Sequence, residues 1–326
     1  MRRLILSLLS LSQGERRLWE LIESALGERS DDLAEERKVP QRLLQSWLKR
    51  QLPEAAMSWL EQKRARLEGE PFLSRDLYVA IGLVPRKLGK APLLLEEADL
   101  VAAEAARSGW QPQALSVDEA ARLLLLLSAH RHGLPFYEAF KEMWTTADVG
   151  EQVAFYKGLP IYPDPEQMLW YATNGCRTSI DTVFEAIAHR NPYPTEYFDE
   201  VAWNQLCLKA IFCGLSLHQI DRLDSRHNPS LARMMTDYAY ERWAAHRPVA
   251  YELWRCVGTY PDERCIQGLK RALKEGDALT RGAVALSVST STVAEAKALL
   301  KEVPDLAARI ESRTLTWKTL ATSEGG

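Results

Sequence analysis

Helix-start signals recur along this chain, and between them the apolar residues step by three and four, which leaves little room for strands. Ser116-Val117-Asp118-Glu119 has the form of a capping box ahead of residues 120–129. Asp164-Pro165-Glu166 places an N-cap residue before a proline at the first helical position, and Asn228-Pro229 repeats the device before 230–245. Thr292-Val293-Ala294-Glu295 reads as a second capping box. Leu231, Met234, Met235 and Tyr238 form one of the apolar stripes. Only 283–288 and 314–320 alternate with period two. The first is Ala-rich inside a helical context, and the second is open between helix and strand.

Helix pairs follow from these signals: 166–173 with 178–189, 199–212 with 229–245, 262–274 with a helix near 280–287, and 292–301 with 305–312. Each pair occupies about 35–45 residues, the length of two-helix repeats. The sequence therefore predicts an all-α protein of stacked helix pairs. Self-similarity between units is weak, so both a HEAT-like or armadillo-type α-solenoid and an irregular helical bundle satisfy the pattern. The charged stretch 18–68, with Trp47 and Trp59 among leucines, predicts two or three amphipathic helices. Gly, Pro and Lys in 82–92 suggest a loop. Gly109, Pro112 and Ser116 mark a soft boundary between an N-terminal helical lobe, 1–110, and a helical-repeat lobe, 111–326, or else a bend within one continuous domain.

A chain of 326 residues has room for one large domain or two ordinary ones. Its net charge of −3, with acids and bases interspersed, argues against a general nucleic-acid binder. Five cysteines, an odd number without a Cys-x-x-Cys, read as reduced thiols in a reducing compartment, the cytoplasm. The apolar run Leu4 to Leu9 is short for a signal peptide. It suits core packing, or a short amphipathic element touching a membrane or another subunit. No stretch approaches the ~20 apolar residues of a membrane span.

Candidate chemistry is sparse. Asp31-Asp32-Leu33-Ala34-Glu35-Glu36 has the acid density of a segment holding Mg²⁺ on a diphosphate, but no second such segment accompanies it. His130 and His132 would point to different faces of a helix. Cys207 and Cys213 lie near His218 in sequence but read as core residues. Pro85-Arg86-Lys87-Leu88-Gly89-Lys90 is basic without being a phosphate loop. No catalytic residue, metal ligand or cofactor is assigned. The densest polar and aromatic region runs from Trp203 to Arg255. It supplies a candidate ligand-binding set: Asn204, Lys209, Asp224, Arg226, Asn228, Asp237, Tyr238, Glu241, Arg242, Trp254 and Arg255. Arg226, Arg242 and Arg255 suit carboxylate or phosphate, and Trp243 and Trp254 suit a flat ligand. Arg233, Asp237 and Glu241 share one helix face, with Tyr238 and Arg242 on the next. The same residues would equally serve as a network tying two helices together.

Three segments of this region resemble the EboA-domain family. They are Asn204-Gln205-Leu206-Cys207-Leu208-Lys209-Ala210-Ile211-Phe212, then Leu223-Asp224-Ser225-Arg226-His227-Asn228-Pro229-Ser230-Leu231-Ala232, then 237–247 followed by Glu252-Leu253-Trp254-Arg255. The resemblance covers roughly 150–260, with weaker support from 85–90 and from Phe198-Asp199-Glu200. It departs from the family pattern at Tyr240, where His is expected, and at Thr259, where Pro is expected. The resemblance implies a protein of the bacterial ebo gene cluster, associated with moving precursors of secondary metabolites. On that basis the expected role is a non-catalytic binding or scaffold protein. Its partners would be a small metabolite and other ebo-cluster proteins, including peripheral association with a membrane prenyltransferase-like partner, and no nucleic acid. The alternative is an all-α enzyme acting on a prenyl- or sugar-like intermediate, with Asp224, Asp237 or Glu241 as acid or base.

Overall fold

The structure, a computed structural model, describes residues 38–322. The apolar run at 4–9 and the acidic segment at 31–36 lie outside the described residues. Among the described residues the protein is all-α, with no strand and a single isolated bridge between Pro92 and Ser116. No described helix is long and apolar enough to cross a membrane.

The chain divides into two compact units. The first runs up to Ser108 and takes in Leu115–Thr145. It comprises α1 (Val39–Gln51), α2 (Glu54–Glu68), α3 (Ser74–Leu88), α4 (Glu97–Ala106), α5 (Val117–Ala129) and α6 (Leu134–Thr146). Helix α5 is its centre, with α1, α2 and α3 packed on it. The run Leu123 to Leu126 is fully buried, as are Ala120 and Ala121. The Ser116–Glu119 capping box forms as predicted. The buried Arg122 is held by Asp118 at 2.7 Å, and Asp118 also accepts from Ser116 Oγ. The division therefore differs from a cut at 110, because 115–145 belongs with the first unit.

The second unit takes Gly109–Ala114 and continues from Thr146. Its helices are α7 (Val149–Lys157), α8 (Pro165–Gly175), α9 (Asp181–Ala188), α10 (Tyr193–Tyr197), α11 (Glu200–Cys213), α12 (Pro229–Ala244), α13 (Glu263–Glu275), α14 (Ala278–Ser289), α15 (Ala294–Ala298), α16 (Pro304–Glu311) and α17 (Trp317–Thr322). Consecutive helices pair: α8 with α9, α11 with α12, α12 with α13, and α13 with α14. The 3₁₀ segment Tyr251–Cys256 packs against α14. There Gly258 passes so close to Ser287 that a Cβ would lie 1.9 Å from Ser287 Oγ.

Two local expectations are corrected. The stretch 82–92 is helical to Leu88, with Pro85 inside the helix. Leu77, Ala80, Ile81 and Val84 form a buried stripe at helical spacing, and its packing outweighs the helix-breaking residues. The Thr292 capping box does not form, because the Thr292 amide and hydroxyl both donate to Thr259 O at 3.0 Å. Asp164 is the N-cap of α8 with Pro165 at the first helical position, as expected, although its side chain makes no capping hydrogen bond. The undecided segment 314–320 is helical from Trp317.

Candidate functional site

The turn 223–228 connects α11 to α12, and its polar residues are consumed in holding it. Asn228 is the N-cap of α12 and accepts from Leu231 N at 2.8 Å. Its amide pairs reciprocally with that of the buried Asn204 on α11, at 2.8 and 3.1 Å. Arg226 donates to Thr195 O at 2.5 Å and Phe198 O at 2.9 Å, so its guanidinium closes the end of α10. The same guanidinium lies 5.0 Å over the Trp203 ring. Asn204, Arg226 and Asn228 therefore form a bracket joining α10, α11 and α12.

Asp224 and Arg255, both expected to face a ligand, instead meet each other in a bidentate pair at 2.7 and 2.8 Å. Desolvation pushes the Asp224 carboxyl up, but the hydrogen bonds and charge of Arg255 outweigh it and hold the group below its ordinary value. Arg255 also reaches His218 Nδ1 at 3.0 Å and lies over the Trp317 ring. His218 in turn faces Tyr251 and the buried Glu252. Glu252 accepts from Ser216 Oγ and from Leu217 N. His227 bonds Thr259 at 3.0 Å, with its Nε2 3.6 Å from Asp224. Burial lowers the His227 pKa despite that carboxylate, so the ring is neutral at pH 7. Ser216, His218, Tyr251, Glu252 and Thr259 were not chosen from the sequence. Histidines separated by a turn carry no spacing signal, and Glu252 reads as a solvated charge until its burial is known.

The remaining candidates lie elsewhere. On the exposed side of α12, Asp237 pairs with Arg264 of α13 at 2.7 Å. Arg242 donates to Pro248 O and lies over Tyr238. Glu241 is exposed on the same helix. Trp254 is 0% exposed and stacks on Trp243 at 5.6 Å, so it belongs to the core and is no wall for a ligand.

Lys209 of the set opens onto a cleft, of about 490 Å³, lined by residues of α8 and α11 and the links beside them. That volume lies within the range of small-molecule sites. Val201, Gln205 and Lys209 recur at every fourth position of α11, one line along the cleft of about 12 Å from the rise per residue. Lys209 Nζ donates to Cys176 O at 2.6 Å and Thr178 O at 2.5 Å, and sits 4.4 Å over the Phe184 ring. Arg177, between those two carbonyl residues, is exposed and also lines the cleft. Among the described residues neither cation pairs with a carboxylate. Burial pushes the Cys176 thiol up to about 12, against the pull of Lys209, so this lining cysteine is a neutral thiol. Phe198, Ala202 and Thr173 complete the apolar and hydroxyl lining, and Asp199 caps α11 through Ala202 N at 2.8 Å.

Among the described residues no three His, Cys, Asp or Glu side chains are placed to hold a metal ion. The family model described as metabolite traffic protein EboA matches residues 40–258, which include the cleft, the bracket and the Asp224–Arg255 pair. No curated protein and no solved structure matches the chain.

Proposed function

The chain belongs to the EboA family, and from that premise we propose that it is a non-catalytic binding protein of metabolite traffic, taking a small molecule into the cleft along α11. The observation that supports this reading is the cleft itself, lined by two cations without carboxylate partners among the described residues, beside apolar side chains. The role fits movement of secondary-metabolite precursors in a bacterial cytoplasm, with proteins of the same gene cluster as partners. The acid–base alternative finds little support in the geometry. Asp224 and Asp237 are in ion pairs with Arg255 and Arg264, and Asp224 is held low, the opposite of a carboxyl poised as a general acid.

The test is native purification followed by mass spectrometry of released small molecules, comparing wild type with Gln205→Trp, whose indole would fill the cleft. A molecule present in the wild type and lost in the variant is the expected result. Identical small-molecule content in the two proteins would sink the assignment.

A further inference from the structure

The cleft is chemically polarised along α11, and the polarity specifies its occupant. At one end Lys209 Nζ uses two of its three N–H donors on Cys176 O and Thr178 O, which leaves one donor. Those carbonyls supply partial dipoles and no formal negative charge. The exposed Arg177, the residue between them in sequence, adds five more donors in a planar fork. A half-buried ammonium without a counter-ion is costly, and an incoming anion would relieve that cost. At the other end lie Phe198, Val201 and Ala202, apolar on every facing atom beyond the backbone. Val201 is 64% exposed, a large aliphatic side chain left uncovered within the cleft lining. Asp199 stands at that same end, so an anion there would meet a like charge. Gln205, midway on the line, offers an amide to either half.

Resting on the reading of this cleft as a binding site, we propose that its ligands are elongated amphipaths with an anionic head, carboxylate or phosphate, held between Lys209 and Arg177, and an apolar body laid against Phe198, Val201 and Ala202. The ends are not interchangeable: the cations fix the head and Asp199 repels it from the opposite end. Recognition is by charge and shape, and involves no covalent step.

Calorimetric titration with decanoate, decyl phosphate, decanol and decyltrimethylammonium tests this, using wild type, Arg177→Gln, Lys209→Gln and Gln205→Trp. Both anions should bind about tenfold more tightly than decanol, the order that one charge-assisted hydrogen bond is worth. The relative strength of decanoate and decyl phosphate tells which head the cations prefer. The side chain of Arg177 is exposed and holds nothing in the fold among the described residues, so Arg177→Gln should reduce anion binding and leave decanol unchanged. Lys209→Gln should reduce it further, and Gln205→Trp should bind none of the four probes. Decanol binding as tightly as the anions, yet blocked by Gln205→Trp, overturns the anionic head while the cleft reading survives. Binding of no probe, or equal binding to Gln205→Trp, overturns the amphipath inference. The co-purified-molecule comparison then decides separately whether the cleft binds anything.

Discussion

Trp254 gives the sharpest test of where structure and ligand binding divide. It is fully buried, its ring stacks on Trp243 at 5.6 Å, and it lies 3.6 Å from where a Cβ on Gly268 would be. Trp254→Ala removes the ring and leaves a cavity, so it should destabilise the protein by about 3–5 kcal/mol, loss of stacking included. Trp254→Phe keeps much of the aromatic volume. It also removes an indole Nε1 that is buried without a hydrogen-bond partner among the described residues, a group whose burial costs about 1–3 kcal/mol. That gain offsets part of the lost packing, and the net cost should be about 1 kcal/mol. Urea unfolding followed by far-ultraviolet circular dichroism is the assay, since it does not depend on the deleted chromophore. A Trp254→Ala midpoint equal to wild type, or Trp254→Phe as damaging as Trp254→Ala, would refute the reasoning. Loss of ligand with unchanged stability in Trp254→Ala would return this tryptophan to a binding surface.

Two further outcomes follow from buried groups and close contacts. His227 and His189 have pKa values lowered by burial, against the opposing pull of Asp224 and Glu185. The unfolded chain therefore takes up their protons first, at about 6.5, so their contribution to stability is complete above that pH and is lost as pH falls toward their folded values. Melting temperature should drop between pH 7.5 and pH 5, less steeply in His227→Gln, and a flat profile would count against neutral buried rings. Gly258→Ala would press a Cβ to 1.9 Å from Ser287 Oγ and 2.5 Å from the Ser287 carbonyl carbon. Its cost should reach or exceed the ~1–3 kcal/mol of core overpacking, and an unchanged urea midpoint would show that this approach is not as tight as described.

The helices were legible because their signals are local. Asn228-Pro229 and Ser116-x-x-Glu119 announce helix starts within four residues, and the stripes between them announce which side is buried. Such signals fail where a distant group competes, as when Thr259 O claims Thr292. The site was less legible for the same reason. Arg226 looks like an anion ligand until Thr195 and Phe198, 31 and 28 residues away, are seen to occupy it. Trp254 and Lys209 were chosen by the same reasoning, and only burial separates the core ring from the cleft cation. A usable signal for the cleft was present in Val201-x-x-x-Gln205-x-x-x-Lys209, one line on a helix grading from apolar to charged. The lining residues of α8 and the turn after it, Thr173, Cys176 and Arg177, had no comparable pattern and enter only through the fold.

Neighbouring side chains on α11, Asn204 and Gln205, serve different partners: one is bonded to the N-cap of α12, the other lines the cleft. Any sideways shift of this helix would have to stretch the Asn204–Asn228 clasp or carry α12 along with it, so a substitution that displaces one of the two helices is felt by both.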